Sequence, residues 1–200
     1  MIISFVSFKG GVGKTTTAVH LGAVLKNKRN RVLLADGDPN QSAIAWQERG
    51  TLPFPIINQS EVDERSAETD FLILDTPARP TAEELETICG ESDLVIIPSE
   101  PDALSLDALF KILETLDGFG AANYRVLFTL ITPRSRAGEE AKSLLKEEFN
   151  APFFNTEIHR RAILKKAALQ GTTVDRLKTG EAAFDEFSAL GREVIKKYGK

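Results

Sequence analysis

Cysteine is nearly missing from this sequence. One of its 200 residues is cysteine, Cys89, which excludes an internal disulfide and any metal or cluster site built from several cysteines of one chain. As a small side chain in a helical stretch, Cys89 reads as structural. Long apolar runs are missing too. None reaches the ~18 residues that a bilayer-spanning helix needs. The start of the chain has no basic segment ahead of its apolar stretch and no small-residue cleavage pattern, so a cytoplasmic location is expected. Repeats, low-complexity tracts and long linkers are also absent. What is present suits one domain, 1–200. Apolar residues make up 42% of the 200, enough for a buried core, and the length lies below the ~250–300 residues at which cores tend to split.

The chain has no overall basic charge. Its net charge is −4, which taken alone argues against nucleic acid. The charge is unevenly spread, however. Residues 1–119 hold 10 basic and 19 acidic side chains, a balance of −9, and residues 120–200 hold 15 and 10, a balance of +5. Asymmetry of this kind hints at a polyanionic partner for the second part.

Apolar runs of strand length alternate with amphipathic segments of helix length. Strands are predicted over 2–7, 32–35, 71–74, 94–97 and 126–131, and helices over 15–28, 41–49, 81–88, 103–116, 137–149 and 182–198. Most of the strand runs carry few charges, as expected where helices cover both faces of a sheet. The alternation predicts an α/β fold with a doubly wound, mostly parallel sheet. Pro101 is placed to open the helix that follows it. Between residues 51 and 69 the chain is short for a full strand–helix unit, and Pro53 and Pro55 confine any strand there to a sheet edge.

Three segments carry the chemistry. The first is Lys9-Gly10-Gly11-Val12-Gly13-Lys14-Thr15, between a strand and a helix. Its glycines let backbone N–H groups turn towards phosphate oxygens, and the helix N-terminus adds partial positive charge. Lys14 can reach the β- and γ-phosphates. The hydroxyl of Thr15, followed by Thr16, can bind Mg²⁺, which prefers few protein ligands and several waters. This is a phosphate-binding loop in its required context. It departs from G-x-x-x-x-G-K-[ST] at the first glycine, whose place Phe8 takes, and a second lysine, Lys9, follows. The second segment is Ala35-Asp36-Gly37-Asp38-Pro39, two carboxylates at a strand end, where open α/β sheets bind ligands. One can orient a water and the other can support a metal shell. The third is Phe71-Leu72-Ile73-Leu74-Asp75, an apolar strand ending in an acid that can hold a Mg²⁺-bound water.

Together these residues resemble the ParA/MinD family of deviant Walker A ATPases, whose loop reads KGG-x-GK-T. Without a preceding helix-turn-helix domain the chain resembles the small ParA type, to which ParF and McdA belong. The resemblance covers essentially the whole chain. It implies ATP and Mg²⁺ as cofactors, with Gly10, Gly11, Val12, Gly13, Lys14, Thr15 and Thr16 on the phosphates, Thr15, Asp36 and Asp75 supporting the metal, partly through water, and Asp36 supporting the loop as well. It implies a homodimer sandwiching ATP, in which Lys9 reaches the partner's phosphates, and a hydrolytic water positioned by Asp38. Thr132 and Pro133 would lie near the adenine. In this family, prolines like those of Pro98-Ser99-Glu100-Pro101 help line a dimer or polymer contact, although structural turns explain them nearly as well. Residues 158–167 fall where ParA proteins bind DNA without sequence preference, so Arg160, Arg161, Lys165 and Lys166, with Arg134 beside them, are the DNA candidates; a solvated helix face is the other reading. The implied function is positioning or partition of a cargo, plasmid or carboxysome, with a ParB-like or McdB-like adaptor that stimulates hydrolysis, in a cytoplasmic, nucleoid-associated setting. A MinD-like membrane ATPase stays open, because Phe184, Phe187, Leu190, Val194 and Tyr198 form an apolar stripe with Lys196, Lys197 and Lys200 nearby. A metabolic enzyme of the dethiobiotin synthetase kind has no need of Lys9. The nitrogenase iron protein needs two cluster cysteines per chain.

Overall fold

The structure, a computed structural model, describes residues 1–199. Lys200 lies outside the described residues. Six strands form one sheet, all parallel: β1 (Ile2–Phe5), β2 (Val32–Asp36), β3 (Ile56–Asn58), β4 (Phe71–Asp75), β5 (Leu94–Ser99) and β6 (Tyr124–Phe128), in the spatial order β3-β2-β4-β1-β5-β6. The helices are α1 (Lys14–Leu25), α2 (Ser42–Glu48), α3 (Val62–Arg65), α4 (Ala82–Glu91), α5 (Ala103–Gly118), α6 (Ala137–Glu148), α7 (Ala162–Leu169) and α8 (Glu181–Tyr198). The predicted doubly wound sheet is therefore present.

Alternation within the strands explains the layers. In β5, Leu94 and Ile96 join the core under α1, α2, α7 and α8, while Val95 and Ile97 join a second core with α4, α5 and α6. Both faces are apolar because both are covered. A third, smaller cluster of Leu33, Ala35, Ile57 and Leu72 lies under the abbreviated unit, whose helix α3 spans four residues. β3 is an edge strand, as Pro53 and Pro55 require.

Several boundaries differ from the sequence expectation. α1 ends at Leu25 and not at residue 28, because the Asn27 side chain accepts from the Arg29 and Asn30 amides and closes a turn. β6 stops at Phe128, before Leu130, whose φ of 55° leaves the extended region. Pro101 does not open α5; Asp102 caps it, accepting from the Ser105 amide, and Ala103 starts it. Cys89 is buried on α4, and burial pushes its thiol up to about 11, so it stays protonated.

The apolar stripe of α8 is used inside the fold. Phe187, Leu190 and Val194 are fully buried in the core beside α1, with Phe184 and Tyr198 packed on its margin. Of the large apolar residues on α8, Ile195 alone is exposed, too little to anchor an interfacial helix. Among the described residues no helix is long and apolar enough to cross a membrane.

His20, on α1, joins this packing to the segment after α7. Its ring stacks on Phe187 at 4.5 Å and meets the edge of Trp46 at 5.7 Å. Nδ1–H donates to the Thr16 carbonyl at 2.8 Å, and Nε2 accepts from the Val174 amide at 3.3 Å, an arrangement for neutral imidazole. Burial lowers its pKa from 6.5 to about 4. Between those values the unfolded chain binds the proton and the native one does not, so stability falls as pH falls. The difference corresponds to about 2–3 kcal/mol between pH 7 and about 4.5. Urea denaturation at each pH should show the parent losing that much more than a His20→Gln variant. Equal losses would mean that His20 is not held neutral.

Candidate nucleotide-binding site

β1 lies where the strand order reverses, with β4 on one side and β5 on the other. A ligand crevice forms at such a point, beyond the strand C-termini, and the chain leaves β1 there to make the loop. Gly11 and Gly13 have φ of 81° and 83°, values open to glycine and strained for other residues. No side chain caps α1 at Gly13, so the first-turn N–H groups can serve an anion. Phe8, which breaks the common loop pattern, packs its ring against the core beneath α5. Val12 is buried, and its carbonyl accepts from Thr129 Oγ1 at 2.6 Å, pinning the loop to the chain after β6.

The loop forms one wall of a cleft of about 530 Å³. Lys9, Gly10, Gly11, Gly13, Lys14, Thr15 and Thr16 line that wall. Asp38, Asn40, Ser42, Ala45, Trp46 and Arg49 line another, and Ala168 of α7 reaches it too.

At the base of the cleft Lys14 is almost fully buried. Its ammonium donates to Asp75 Oδ1 at 2.7 Å and to the Thr76 carbonyl, and lies 3.8 Å from Asp38 Oδ2. Thr15 Oγ1 donates to Asp75 Oδ2 at 2.6 Å. Asp75 has no solvent exposure. Burial pushes its carboxyl above the usual range, and Lys14 and Thr15 work against that rise. The loop lysine, the hydroxyl and the strand-end acid thus meet at one point.

Asp36 and Asp38 divide their work. Asp36 Oδ1 accepts from the Asp38 amide, and Oδ2 accepts from the Ala43 and Ile44 amides at 2.8 and 3.0 Å. This carboxylate holds the loop and the start of α2 together. Asp38 lines the cleft and is steadied by Asn40, whose backbone and side-chain N–H groups both donate to Oδ1 at 2.9 Å. Its second oxygen is left facing Lys14.

Mg²⁺ fits this donor set in a limited way. Among the described residues no group of three or more His, Cys, Asp or Glu side chains can hold a metal alone. Thr15 and Asp75, joined at 2.6 Å, offer the few oxygens that suffice when phosphates and water complete the shell.

Thr132 and Pro133 are exposed and lie outside the lining of the cleft, while Thr129, on the same segment, touches the loop. The basic run is divided. Arg160 is paired with Glu100, and Arg161 donates to Glu186 at 2.6 Å beside His159. Lys165 and Lys166 are exposed on α7 and Arg134 is exposed in the turn after β6, none with an ion-pair partner among the described residues.

The sequence reading also missed four contributors. Trp46 and Arg49 reach the cleft wall, and each bonds to the α7 region, Trp46 Nε1–H to the Thr172 carbonyl at 3.0 Å and Arg49 to the Ala168 carbonyl at 3.4 Å. Asp102 and Ser105 hold Lys9. The only signal along the chain was the helix-capping pattern of Asp102 with Ser105 three residues on, which says nothing of Lys9.

Residues 3–174 match the CobQ/CobB/MinD/ParA nucleotide binding domain. The chain belongs to this family. Among its relatives, maintenance of carboxysome distribution protein A of Gloeobacter kilaueensis is 34% identical over 210 residues, covering 100% of this chain and 96% of the relative. A putative plasmid partition protein of Borrelia burgdorferi, solved with AMPPNP, superposes with a TM-score of 0.78 at 19% identity, covering 98% of each chain. Apo McdA of Cyanothece gives 0.72 at 21% identity over 94% of this chain and 98% of that one. At such identities the two structures speak for the fold, and the family match marks residues 3–174 as a nucleotide-binding domain.

Lys14→Met should abolish nucleotide binding and leave Asp75 buried without its cation. The cost should be about 3–5 kcal/mol near neutral pH. Protonation of Asp75 relieves it, so the deficit against the parent should narrow as pH falls towards 5. Urea denaturation across that range reads both effects, and a deficit that stays constant would contradict the buried pairing.

Proposed function

We propose that this chain is a ParA-type positioning ATPase. It binds ATP with Mg²⁺, pairs with a second copy across the nucleotide, binds DNA without sequence preference, and spaces a cargo with the help of an adaptor that stimulates hydrolysis. The observation that carries this reading is the placement of two lysines on one phosphate loop. Lys14 is buried among the carboxylates, and Lys9 is one-third exposed on the same wall of the cleft. Lys14 serves the nucleotide of its own chain in this reading, and Lys9 acts on that of a second chain.

Two exposed apolar side chains support pairing on this face. Leu104 and Leu169 are 71% and 75% exposed. Each sits close along the chain to a group that touches the site: Asp102, which holds Lys9, and Ala168, which lines the cleft.

In the proposed reaction the loop amides and Lys14 bind and orient the triphosphate. Thr15 and Asp75 would hold Mg²⁺, which when bound neutralises phosphate charge. Asp38 would accept a hydrogen bond from the attacking water and aim it. Basal turnover is slow, because an adaptor supplies what the isolated site lacks. The full-length similarity to a carboxysome-distribution protein supports a protein body as cargo, with an McdB-like adaptor; a plasmid with a ParB-like adaptor is the related case. The setting is cytoplasmic, on the nucleoid.

Asp38→Ala should keep ATP binding, lower hydrolysis by about 10²-fold or more, as loss of a general base does, and accumulate the ATP dimer. A turnover assay with light scattering reads both, and parent-rate hydrolysis would reassign the water-positioning role. For DNA, Lys165→Ala combined with Lys166→Ala should weaken binding uniformly across sequences. It should also lower the slope of log K against log salt by about 2, since each phosphate contact contributes about 0.9. An unchanged slope would place the DNA surface off α7.

A further inference from the structure

The ammonium of Lys9 is fully engaged by its own chain. It donates to Asp102 Oδ1 and Oδ2, both at 3.2 Å, and to Ser105 Oγ at 2.7 Å. Lysine has three N–H donors, and all three point at the turn between β5 and α5. Ser105 in turn donates its hydroxyl proton to Asp102, and its amide also bonds to that carboxylate. The three groups form a closed set. Partial burial works against the Asp102 carboxylate, but the bonds from Ser105 and Lys9 outweigh it and hold the carboxyl below its usual range.

The contact is well defined and only partly shielded. The Lys9 and Asp102 side chains are 33% and 39% exposed, so solvent screens the pair and its net strength is modest. A Cβ at Gly10 or Gly11, next along the loop, would meet nothing within 4 Å, so no neighbouring side chain packs over the loop beside Lys9. Leu104 projects into solvent two residues after Asp102, so the turn that holds Lys9 also presents apolar surface.

We infer that Asp102 and Ser105 are positioning residues that hold the Lys9 ammonium on its own chain until a second chain's triphosphate competes for it. This rests on the trans role proposed for Lys9. A triphosphate offers several negative charges against the one of Asp102, and a diphosphate offers fewer. The clamp therefore sets a threshold that favours pairing with ATP over pairing with ADP, and raises the dissociation constant of the dimer.

Asp102→Asn tests this cleanly, because asparagine caps a helix as well as aspartate does but lacks the charge. Its melting temperature should match the parent's. Sedimentation with Mg²⁺ and ATPγS should show its dimer Kd lowered about 5-fold, the value of a modest, part-exposed ion pair, and a dimer should become detectable with ADP. Ser105→Ala should shift Kd the same way by about 2-fold, as loss of one hydrogen bond does. Asp102→Glu, which keeps the charge, should stay near the parent. A parental or weaker dimer in both Asp102→Asn and Ser105→Ala overturns the clamp. Lys9→Ala separates the two layers of the argument. If it dimerises as the parent does, the trans role fails and the clamp fails with it. If it cannot dimerise while Asp102→Asn behaves as the parent, the clamp alone is wrong.

Discussion

The ion pair between Lys14 and Asp75 organises this molecule. The lysine begins α1 and the aspartate ends β4, 61 residues apart, yet their charges meet at 2.7 Å with Asp75 wholly out of solvent. Two charges removed from water need each other and further hydrogen bonds. Thr15 and the Thr76 carbonyl supply those bonds. The pair thereby fixes the loop against the sheet at the point where strand order reverses, and sets the depth at which a phosphate can bind.

From this anchor the site extends in two directions. On one side Asp36 ties the Asp38 segment to the first turn of α2, and α2 is joined through Trp46 and Arg49 to the segment around α7. A chain of packed and bonded groups therefore runs from the phosphate end of the cleft to the helix that carries Lys165 and Lys166. On the other side Lys9 is bound to the turn before α5. The proposed nucleotide, DNA and pairing surfaces share one end of the sheet because all depend on loops that leave the strand C-termini.

Charge is arranged to suit these roles. The acidic first part of the chain spends Asp36, Asp75 and Asp102 on internal partners, and the basic second part spends Arg160 and Arg161 the same way. What a partner meets is the remainder. In the proposed DNA binding the exposed lysines of α7 would count for a polyanion, while paired arginines would bring little charge to release counterions.

The parallel sheet and the phosphate loop were legible in the sequence alone, and so were Lys14, Thr15, Asp38 and Asp75 as candidates, which the structure brings together. Strand and helix periodicities and loop glycines are local properties, and a loop between a strand and a helix can be read without knowing what lies across from it. Helix and strand ends were less legible, since the Asn27 turn and the left-handed Leu130 act through single backbone angles and side-chain bonds. Partners distant in sequence could not be read at all. Nothing along the chain marked the three backbone amides that bond to Asp36, the Glu100 and Glu186 partners of Arg160 and Arg161, or the bond of Lys9 to Asp102, 93 residues away. The sequence by itself determined the parallel sheet, the phosphate loop and the acids that end two of its strands. Only the tertiary structure decided which of the charged groups are already occupied, because that depends on packing between segments far apart along the chain.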